Sequence, residues 1–338
     1  MCAWYMRSFI FCFLFFLPTL SAMAFDEDLL ADYPHVILSN GILEAPVFLP
    51  DPEKGFYRST RFDWSGIPCQ ITYQGHTYFM KRPLQRPHNP NLNGHAMSLA
   101  EEFDIGGGGV SFPQRFSEAK PGETFMKIAV GNLEKTDDGK SYAFSALYRL
   151  VDTGKWTTRR GKNWIEFTHT LHDNYGFAYI YTKRMELLKG KPELIISHSL
   201  KNTGKRSLST TQYCHNFFII DGENIGRNYH MHLSFIPQFQ TDLTQSATIR
   251  DSTVVLEQNL EKAIFSVVEG FGDTPAYNRA VILNTHVGAG VEIKGDIPLT
   301  SFHFYAEQYS FCPELFVKIS VEPGKTQKWK RYYRFFTE

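Results

Sequence analysis

Alternation of apolar and polar residues is the dominant pattern along this chain. Trp164–Leu171 alternates strictly, and Phe177–Lys183 and Glu193–Leu200 follow the same period of two. This period is typical of strands that bury one face. Further strands are predicted at His35–Leu38, Leu43–Leu49, Ala280–Asn284, Gly290–Lys294, Ser301–Ala306, Leu315–Val321 and Lys328–Phe336. Helical periodicity is almost absent, so we predict an all-β protein built as a sandwich.

Turns and one long loop separate these segments. Ser39–Gly41 is predicted to be a hairpin turn, and Asn202–Lys205 a second turn. Lys81–Ser117 contains four prolines, the four glycines Gly106–Gly109 and few apolar residues, so we predict a long ordered loop. Loops of this length in compact domains are usually functional or disordered. The glycine run is not predicted to bind phosphate, because no Lys-Ser/Thr follows it.

The first 24 residues form a predicted signal peptide. Arg7 gives a positive start, Ser8–Leu20 is apolar, and Ser21–Ala24 has the small-residue pattern of a cleavage site before Phe25. The apolar run is shorter than the roughly 20 residues that a membrane-spanning helix needs. We therefore expect export to the periplasm or outside the cell, no membrane association after cleavage, and one domain over residues 25–338.

Composition narrows the class of partner. The chain has 35 basic and 35 acidic side chains and no basic stripe, which argues against nucleic acid as the main partner. Aromatic residues make up 15% of the chain, a composition that suits a β-rich core and also sugar binding. No motif indicates a cofactor.

Three cysteines follow the predicted leader. They are Cys69, Cys214 and Cys312. Cys214 is adjacent to His215, whereas Cys312 is two residues from Glu314, so on regular strands the two thiols point to opposite faces. We expect three free thiols, because opposed side chains cannot meet disulfide geometry.

Two stretches could carry chemistry. In the first, His215 lies inside the strand-like run Thr210–Phe218, and in the second Glu314 interrupts the apolar run Ser310–Phe316. Burial of that carboxyl would raise its pKa, as general acid–base catalysis requires. From spacing alone, a structural hydrogen-bonding role is favoured for both side chains, because a lone His or Glu in a strand more often has that role.

The order of these motifs resembles the galactose mutarotase-like superfamily, which includes the aldose 1-epimerases and hexose-6-phosphate mutarotases. A turn at Asn202–Gly204 leads to His215–Phe218, which is similar to the family's histidine motif. Phe311–Glu314, then Pro323-Gly324 and the aromatic run Trp329–Tyr333, are similar to its C-terminal glutamate motif. The similarity covers roughly residues 140–336.

The resemblance implies a large antiparallel β-supersandwich with a sugar-binding face. It also implies that Glu314 takes the proton of the anomeric hydroxyl while His215 protonates the ring oxygen. The ring then opens, rotates about C1–C2 and recloses as the other anomer. A carbohydrate is accordingly the expected partner.

The N-terminal third departs from the family's sugar-binding signatures. Its own candidate contacts come from Gly55–Trp64, Gly94-His95 and Glu101–Phe103. The candidates for substrate contact are Arg61, Trp64, Arg58, His95, Glu101, Glu102, Asn216 and Tyr213. A core position for Trp64, a surface ion pair for Arg61 and a solvated loop for the two glutamates are equally open.

His230 and His232 are spaced to share one face of a strand, which can hold a metal, but no third ligand is evident and no metal is predicted. The function therefore has three alternatives. The first is an aldose 1-epimerase-like isomerase acting on a sugar. The second is a polysaccharide lyase or glycosidase that uses the same pair on a uronate-containing glycan, and the third is a non-catalytic carbohydrate-binding protein. A pocket one monosaccharide deep would favour the first, and an open aromatic groove the other two.

Overall fold

A computed structural model describes residues 25–80, 87–106, 111–136 and 139–338. In this part of the chain one α-helix, α1 (Glu27–Asp32), precedes a series of strands. The strands are β1 (His35–Ser39), β2 (Leu43–Phe48), β3 (Thr72–Tyr73), β4 (His76–Thr77), β5 (Leu99–Phe103), β6 (Thr124–Lys127), β7 (Gly131–Glu134), β8 (Arg149–Asp152), β9 (Lys155–Arg160), β10 (Trp164–His172), β11 (Ala178–Leu187), β12 (Glu193–Asn202), β13 (Leu208–Asn216), β14 (Tyr229–Leu233), β15 (Gln238–Phe239), β16 (Ala247–Arg250), β17 (Thr253–Leu256), β18 (Ile264–Glu269), β19 (Arg279–Asn284), β20 (Ala289–Gly295), β21 (Ser301–Glu307), β22 (Ser310–Val321) and β23 (Thr326–Thr337). Short 3₁₀ turns lie at Ile220–Gly222 and Pro275–Tyr277.

Helix α1 is short and capped. The Asp26 carboxylate accepts a hydrogen bond from the Leu29 amide at 3.0 Å, which satisfies one of the unpaired donors of the first turn. Leu29 is buried against Phe48 and Phe56. None of the helices in the described ranges has the length and hydropathy of a membrane span. The predicted leader, residues 1–24, lies outside those ranges.

The larger sheet has ten strands in the order β16-β17-β14-β19-β20-β23-β12-β11-β10-β9. The described pairs within it are antiparallel. Burial alternates residue by residue along β10, β11 and β12, so that Ile165, Met185 and Ile196 enter the core while the intervening residues are more exposed. The strands predicted from alternation in this part of the chain are confirmed, because the pattern follows from one buried face.

The second sheet has six strands in the order β15-β18-β21-β22-β13-β5. Phe302, Phe304 and Leu315 point from one face into the large core cluster. The alternate residues of the same strands, among them His303 and Glu314, line a cavity on the other face. Two small sheets, β1–β4 and β6–β8, complete the described strands. The fold is thus nearly all β and antiparallel, as predicted.

Local predictions fare unevenly. The hairpin turn between β1 and β2 is confirmed, with Gly41 at a positive φ of 86° and the Asn40 side chain accepting from Leu43 N at 2.7 Å. Two boundaries are wrong. The strand predicted from Leu315 begins at Ser310 and runs through Pro313, and the predicted loop Lys81–Ser117 contains β5. β5 is a strand because it pairs with β13. Its two adjacent glutamates, Glu101 and Glu102, break the apolar–polar alternation, so the sequence pattern did not predict it.

The three cysteines are unbridged and buried, as expected. Cys214 belongs to the core cluster between the large sheets, whereas Cys312 packs with Phe62 and Phe217 on the opposite side. The alternation that separates these thiols also places Glu314 and His215 on one face.

Candidate active site

The candidate catalytic pair is placed by strand register. Ladder pairing between β13 and β22 stops at Gln212–Val317 and resumes at Phe218–Phe311. The same register holds on both sides of the gap, so His215 lies directly opposite Glu314. On the next strand, β21, His303 pairs with Glu314. A row of two histidines and one glutamate therefore crosses three adjacent strands on one face.

The distances within this row are short. His215 Nε2 lies 3.3 Å from Glu314 Oε1, and His303 Nδ1 lies 3.9 Å from Glu314 Oε2. His303 is held from behind by Ser301, whose Oγ is 3.0 Å from its Nε2. Glu314 and His215 are 5% and 6% exposed, so both groups are almost withdrawn from water.

Burial sets the charge of the pair. Loss of hydration raises the pKa of Glu314 to about 8; the nearby Arg61 opposes this rise and the Glu102 carboxylate adds to it. Loss of hydration, with the Arg61 charge, lowers the pKa of His215 well below its usual range. Near neutral pH the pair therefore holds one proton, which the imidazole and the carboxyl can exchange across their contact. With the proton on His215, the pair is a base beside an acid.

Arg61 forms the wall next to this pair. Its Nε donates to Glu102 Oε2 at 2.9 Å and its second terminal nitrogen donates to the Tyr213 hydroxyl at 3.2 Å. The guanidinium lies 4.3 Å from the ring centres of both Phe62 and Phe144, so aromatic faces cover it. The predicted contact residues Arg61, Tyr213 and Glu102 are thus brought together.

Glu102 is buried behind Arg61 and Tyr213 and contacts both of them. Tyr213 donates to its Oε2 at 2.7 Å, and Lys127 Nζ is 3.1 Å from its Oε1. Two cations therefore face one carboxylate, since Lys127 and Arg61 both contact it. Of the two cations, Arg61 borders the cavity, where its guanidinium could donate hydrogen bonds to a sugar hydroxyl or a carboxylate.

The pair opens into a cavity of about 900 Å³. Its polar lining comes from Arg61, Tyr213, His215, His303, Tyr305, Glu307 and Glu314. Its apolar lining is mainly aromatic, with Phe62, Phe144, Phe217 and Phe265. A concave, largely apolar space with a few convergent polar groups is the usual form of a small-molecule site.

Other predicted contact residues lie elsewhere. Trp64 is 2% exposed and donates its indole N–H to Ser59 O at 2.8 Å, so it packs in the core and stays out of the cavity. Arg58 lies beside α1, where it lines a separate surface depression. His95 is buried and its Nδ1 accepts from the Asn89 amide at 2.8 Å, which leaves only its neighbour Gly94 at the cavity.

Glu101 points away from the cavity, because adjacent residues of a strand face opposite sides. It enters the space between the two large sheets. There its carboxylate lies 2.6 Å from Arg331, 2.8 Å from Lys183 and 3.3 Å from His198. The prediction of a sugar contact for Glu101 is therefore wrong, and the residue is a buried link between sheets.

Asn216 is also turned away from the cavity. Its amide donates to Pro313 O at 2.7 Å and Cys214 O at 3.1 Å, and it accepts from the Tyr333 hydroxyl at 2.9 Å. These bonds bridge β13, β22 and β23 where the β13–β22 ladder is interrupted. Asn216 thus lies next to His215 on the opposite face and links the three strands beneath the pair.

His230 and His232 lie on β14 of the ten-stranded sheet, whereas the pair lies on the six-stranded sheet, and His232 Nδ1 is 2.6 Å from Thr253 Oγ1. Across the described ranges, the search for three or more metal-ligating side chains in one place finds none.

Sequence reasoning missed His303, Tyr305, Glu307 and Phe265. The signal was present in part. In the predicted strand Ser301–Ala306, Phe302 and Phe304 alternate with His303 and Tyr305, and the second set shares the face of Glu314 once β21 pairs with β22. That pairing could not be deduced from one strand alone.

Comparison with known proteins places the fold. A scan against protein-family models and a search of curated proteins both give no match. Solved structures do match along most of the chain. A galactose mutarotase-like protein from Clostridium acetobutylicum is 12% identical, with a TM-score of 0.55, over 91% of this chain and 96% of its own.

Two further structures agree. A candidate aldose 1-epimerase from Escherichia coli K12 is 11% identical, with a TM-score of 0.54, over 90% of this chain and 99% of its own. A galactose mutarotase-related enzyme from Lactobacillus acidophilus is 11% identical, with a TM-score of 0.52, over 90% and 97%. The chain therefore has the galactose mutarotase-like fold.

Proposed function

We propose that the protein is a carbohydrate-active isomerase that interconverts the anomers of a reducing sugar. The observation that carries the proposal is the contact of 3.3 Å between His215 and Glu314, nearly dry, at the base of the cavity. A pair that shares one proton has both of the groups that ring opening needs.

The reaction uses the two groups at once. The Glu314 carboxylate takes the proton of the anomeric hydroxyl while protonated His215 gives its proton to the ring oxygen. The bond between C1 and the ring oxygen breaks as the C1 carbonyl forms. Rotation about C1–C2 and the reverse proton transfers give the other anomer, and the pair returns to its starting state. Each transfer of this kind contributes typically about 10²–10⁴-fold.

Cleavage of a glycan is the second candidate, because the large aromatic cavity exceeds one monosaccharide. Glycosidases place two carboxyl groups about 5–9.5 Å apart. In the β21–β22 register, Glu307 lies four residues beyond the partner of Glu314, so it is not the direct cross-strand neighbour of Glu314. Glu102 is bound by Lys127 and Arg61. The direct contact of Glu314 with an imidazole, rather than with a second carboxyl group, favours isomerisation over hydrolysis.

A panel of reducing sugars and uronate polymers tests the proposal. Exchange between anomers would be followed by NMR, release of reducing ends by colorimetry, and unsaturated lyase products by ultraviolet absorbance. We expect accelerated exchange for at least one sugar series, with no cleavage. Cleavage without exchange would replace the proposal with the second candidate, and binding without either reaction would leave a carbohydrate-binding protein.

A further inference from the structure

We infer that the substrate is the reducing end of an oligosaccharide, whose second sugar unit stacks on Phe265 and Tyr309 at the far end of the cavity. The inference rests on the proposed function for the position of the reacting sugar. It adds a subsite beyond the catalytic pair and names the substrate class.

The cavity floor is longer than one sugar. It crosses β13, β22, β21 and β18, with His215 and Glu314 on the first two strands and Phe265 on the last. Strands lie about 4.8 Å apart, so this floor is about 14 Å wide and Phe265 lies about 10 Å from the strand of Glu314. A pyranose ring spans about one such spacing. A sugar on the pair therefore leaves room for a second ring toward β18.

Two aromatic residues that line the cavity, Phe265 on β18 and Tyr309 in the turn between β21 and β22, are exposed. Phe265 is 47% exposed and Tyr309 is 46% exposed. Phe265 meets His303 at a ring-centre distance of 5.5 Å with perpendicular planes. Large exposed rings that border a binding cavity mark a ligand contact, and flat apolar rings stack well on sugar faces. At the opposite end, Phe144 already covers the Arg61 guanidinium.

A polar group accompanies these rings. Glu307 lines the cavity on the same face of β21 as His303 and shares a hydrogen bond with Tyr305. Burial raises the pKa of its carboxyl. A carboxyl group in the lining of the same cavity can hydrogen-bond to sugar hydroxyls while aromatic rings contact the C–H faces.

The proposed reaction fixes the direction in which the oligosaccharide lies in the cavity. Only the reducing end has a free anomeric centre, and C1 with the ring oxygen must face Glu314 and His215. In a 1,4-linked glycan the linkage leaves from C4, across the ring from C1. The next unit consequently lies away from the pair, toward Phe265 in this geometry.

Matched sugar pairs test the inference on the full-length processed chain. The probes are glucose with maltose and cellobiose, xylose with xylobiose, galactose with galactobiose, and galacturonate with digalacturonate. For each pair the kcat/KM of anomer exchange and the Kd are measured. We expect one disaccharide to exceed its own monosaccharide by about tenfold or more in kcat/KM.

Phe265→Ala should bring this disaccharide-to-monosaccharide ratio close to one, and Tyr309→Ala should lower it in part. Tyr175→Ala is the matched control, since Tyr175 is a similarly exposed aromatic residue outside the cavity lining. This variant should keep both the activity and the ratio of the parent protein.

The outcomes separate the two proposals. If monosaccharides are anomerised and no disaccharide does better, the subsite is wrong and the isomerase stands. If no sugar is anomerised but a disaccharide binds more tightly than its monosaccharide in a Phe265-dependent way, the isomerase fails and the subsite stands. Equal binding within every pair, or no binding at all, would overturn the subsite.

Discussion

Glu314 opposes folding through the same burial that would suit it to the proposed acid–base role. Its ordinary pKa of 4.5 applies in the unfolded chain, whereas the folded value is about 8. Between pH 4.5 and 8 the native state therefore binds more protons than the unfolded state, so stability falls as pH rises and the loss is complete above pH 8. The cost is on the order of a few kcal/mol.

Glu314→Gln should consequently have opposite effects on stability and activity. The amide keeps the shape, removes the base and carries no buried charge, so turnover should fall by about 10²-fold or more. Thermal unfolding should show a gain in stability that is larger at pH 8 than at pH 5. His215→Asn should lose comparable activity without this pH-dependent gain. A glutamine variant with near-parental turnover would exclude Glu314 as the catalyst.

The shared proton also predicts the pH dependence of activity. The single-proton form disappears as pH rises through the Glu314 pKa of about 8, which leaves a base without an acid. We expect kcat/KM to fall by about tenfold for each unit above that point. On the acid side, activity should persist to well below the ordinary pKa of histidine, since burial disfavours a second proton. A profile that rises steadily above pH 9 would contradict the assignment.

At the scale of elements, we expect the interruption between β13 and β22 to position the pair. Asn216 spans this gap, and its loss would leave the Pro313 carbonyl and the Tyr333 hydroxyl without their partner. Asn216→Ala should destabilise the protein by about 1–3 kcal/mol and lower kcat, with the pH profile of the remaining activity unchanged. Tyr333→Phe, which removes one of these bonds, should have a smaller effect. Equal kcat in the parent and Asn216→Ala proteins would show that the gap does not position the pair.

Strands whose apolar and polar residues alternate could be predicted from the sequence, whereas the site could be predicted only in part. Strands such as β10 and β12 bury one face, so their sequences record it. The edge strand β5 was missed because Glu101 and Glu102 make both of its faces polar. Each glutamate pairs with a cation from a strand that is distant in the sequence. His215 and Glu314 came from motif order, whereas Trp64 and His95 could not be excluded from the site without their tertiary partners.

At the scale of the whole molecule, buried charges connect the two large sheets. Glu101 on β5 faces Lys183 and Arg331, which belong to β11 and β23 of the ten-stranded sheet. Glu101→Gln would leave both cations undercompensated in the interior. We expect a loss of about 3–5 kcal/mol in the free energy of unfolding, measured with denaturant.

The control for this experiment is Glu118→Gln. Glu118 pairs with Arg206 at 2.6 Å, but both side chains are well exposed, so the expected loss is about 0–1 kcal/mol. Equal losses in the two variants would show that the buried network contributes no more than a surface ion pair.

Export is a second expectation at the scale of the whole chain. The predicted leader ends before Phe25, so the protein recovered from the periplasm or medium should begin at that residue. Mass spectrometry of the secreted and cell-associated fractions would test this. An exported chain that retains Met1 would contradict cleavage.

The burial of Glu314 has a consequence for the evolution of related proteins. A carboxyl group that weakens its own protein is kept only while selection for turnover maintains it. A lineage that gave up catalysis and retained the scaffold for another purpose would gain stability by replacing this one side chain, whereas Glu101 would still be needed to hold the sheets together. If the proposed function holds, a glutamate at position 314 should therefore mark the related sequences that are enzymes, and its replacement should be among the earliest changes in those that are not.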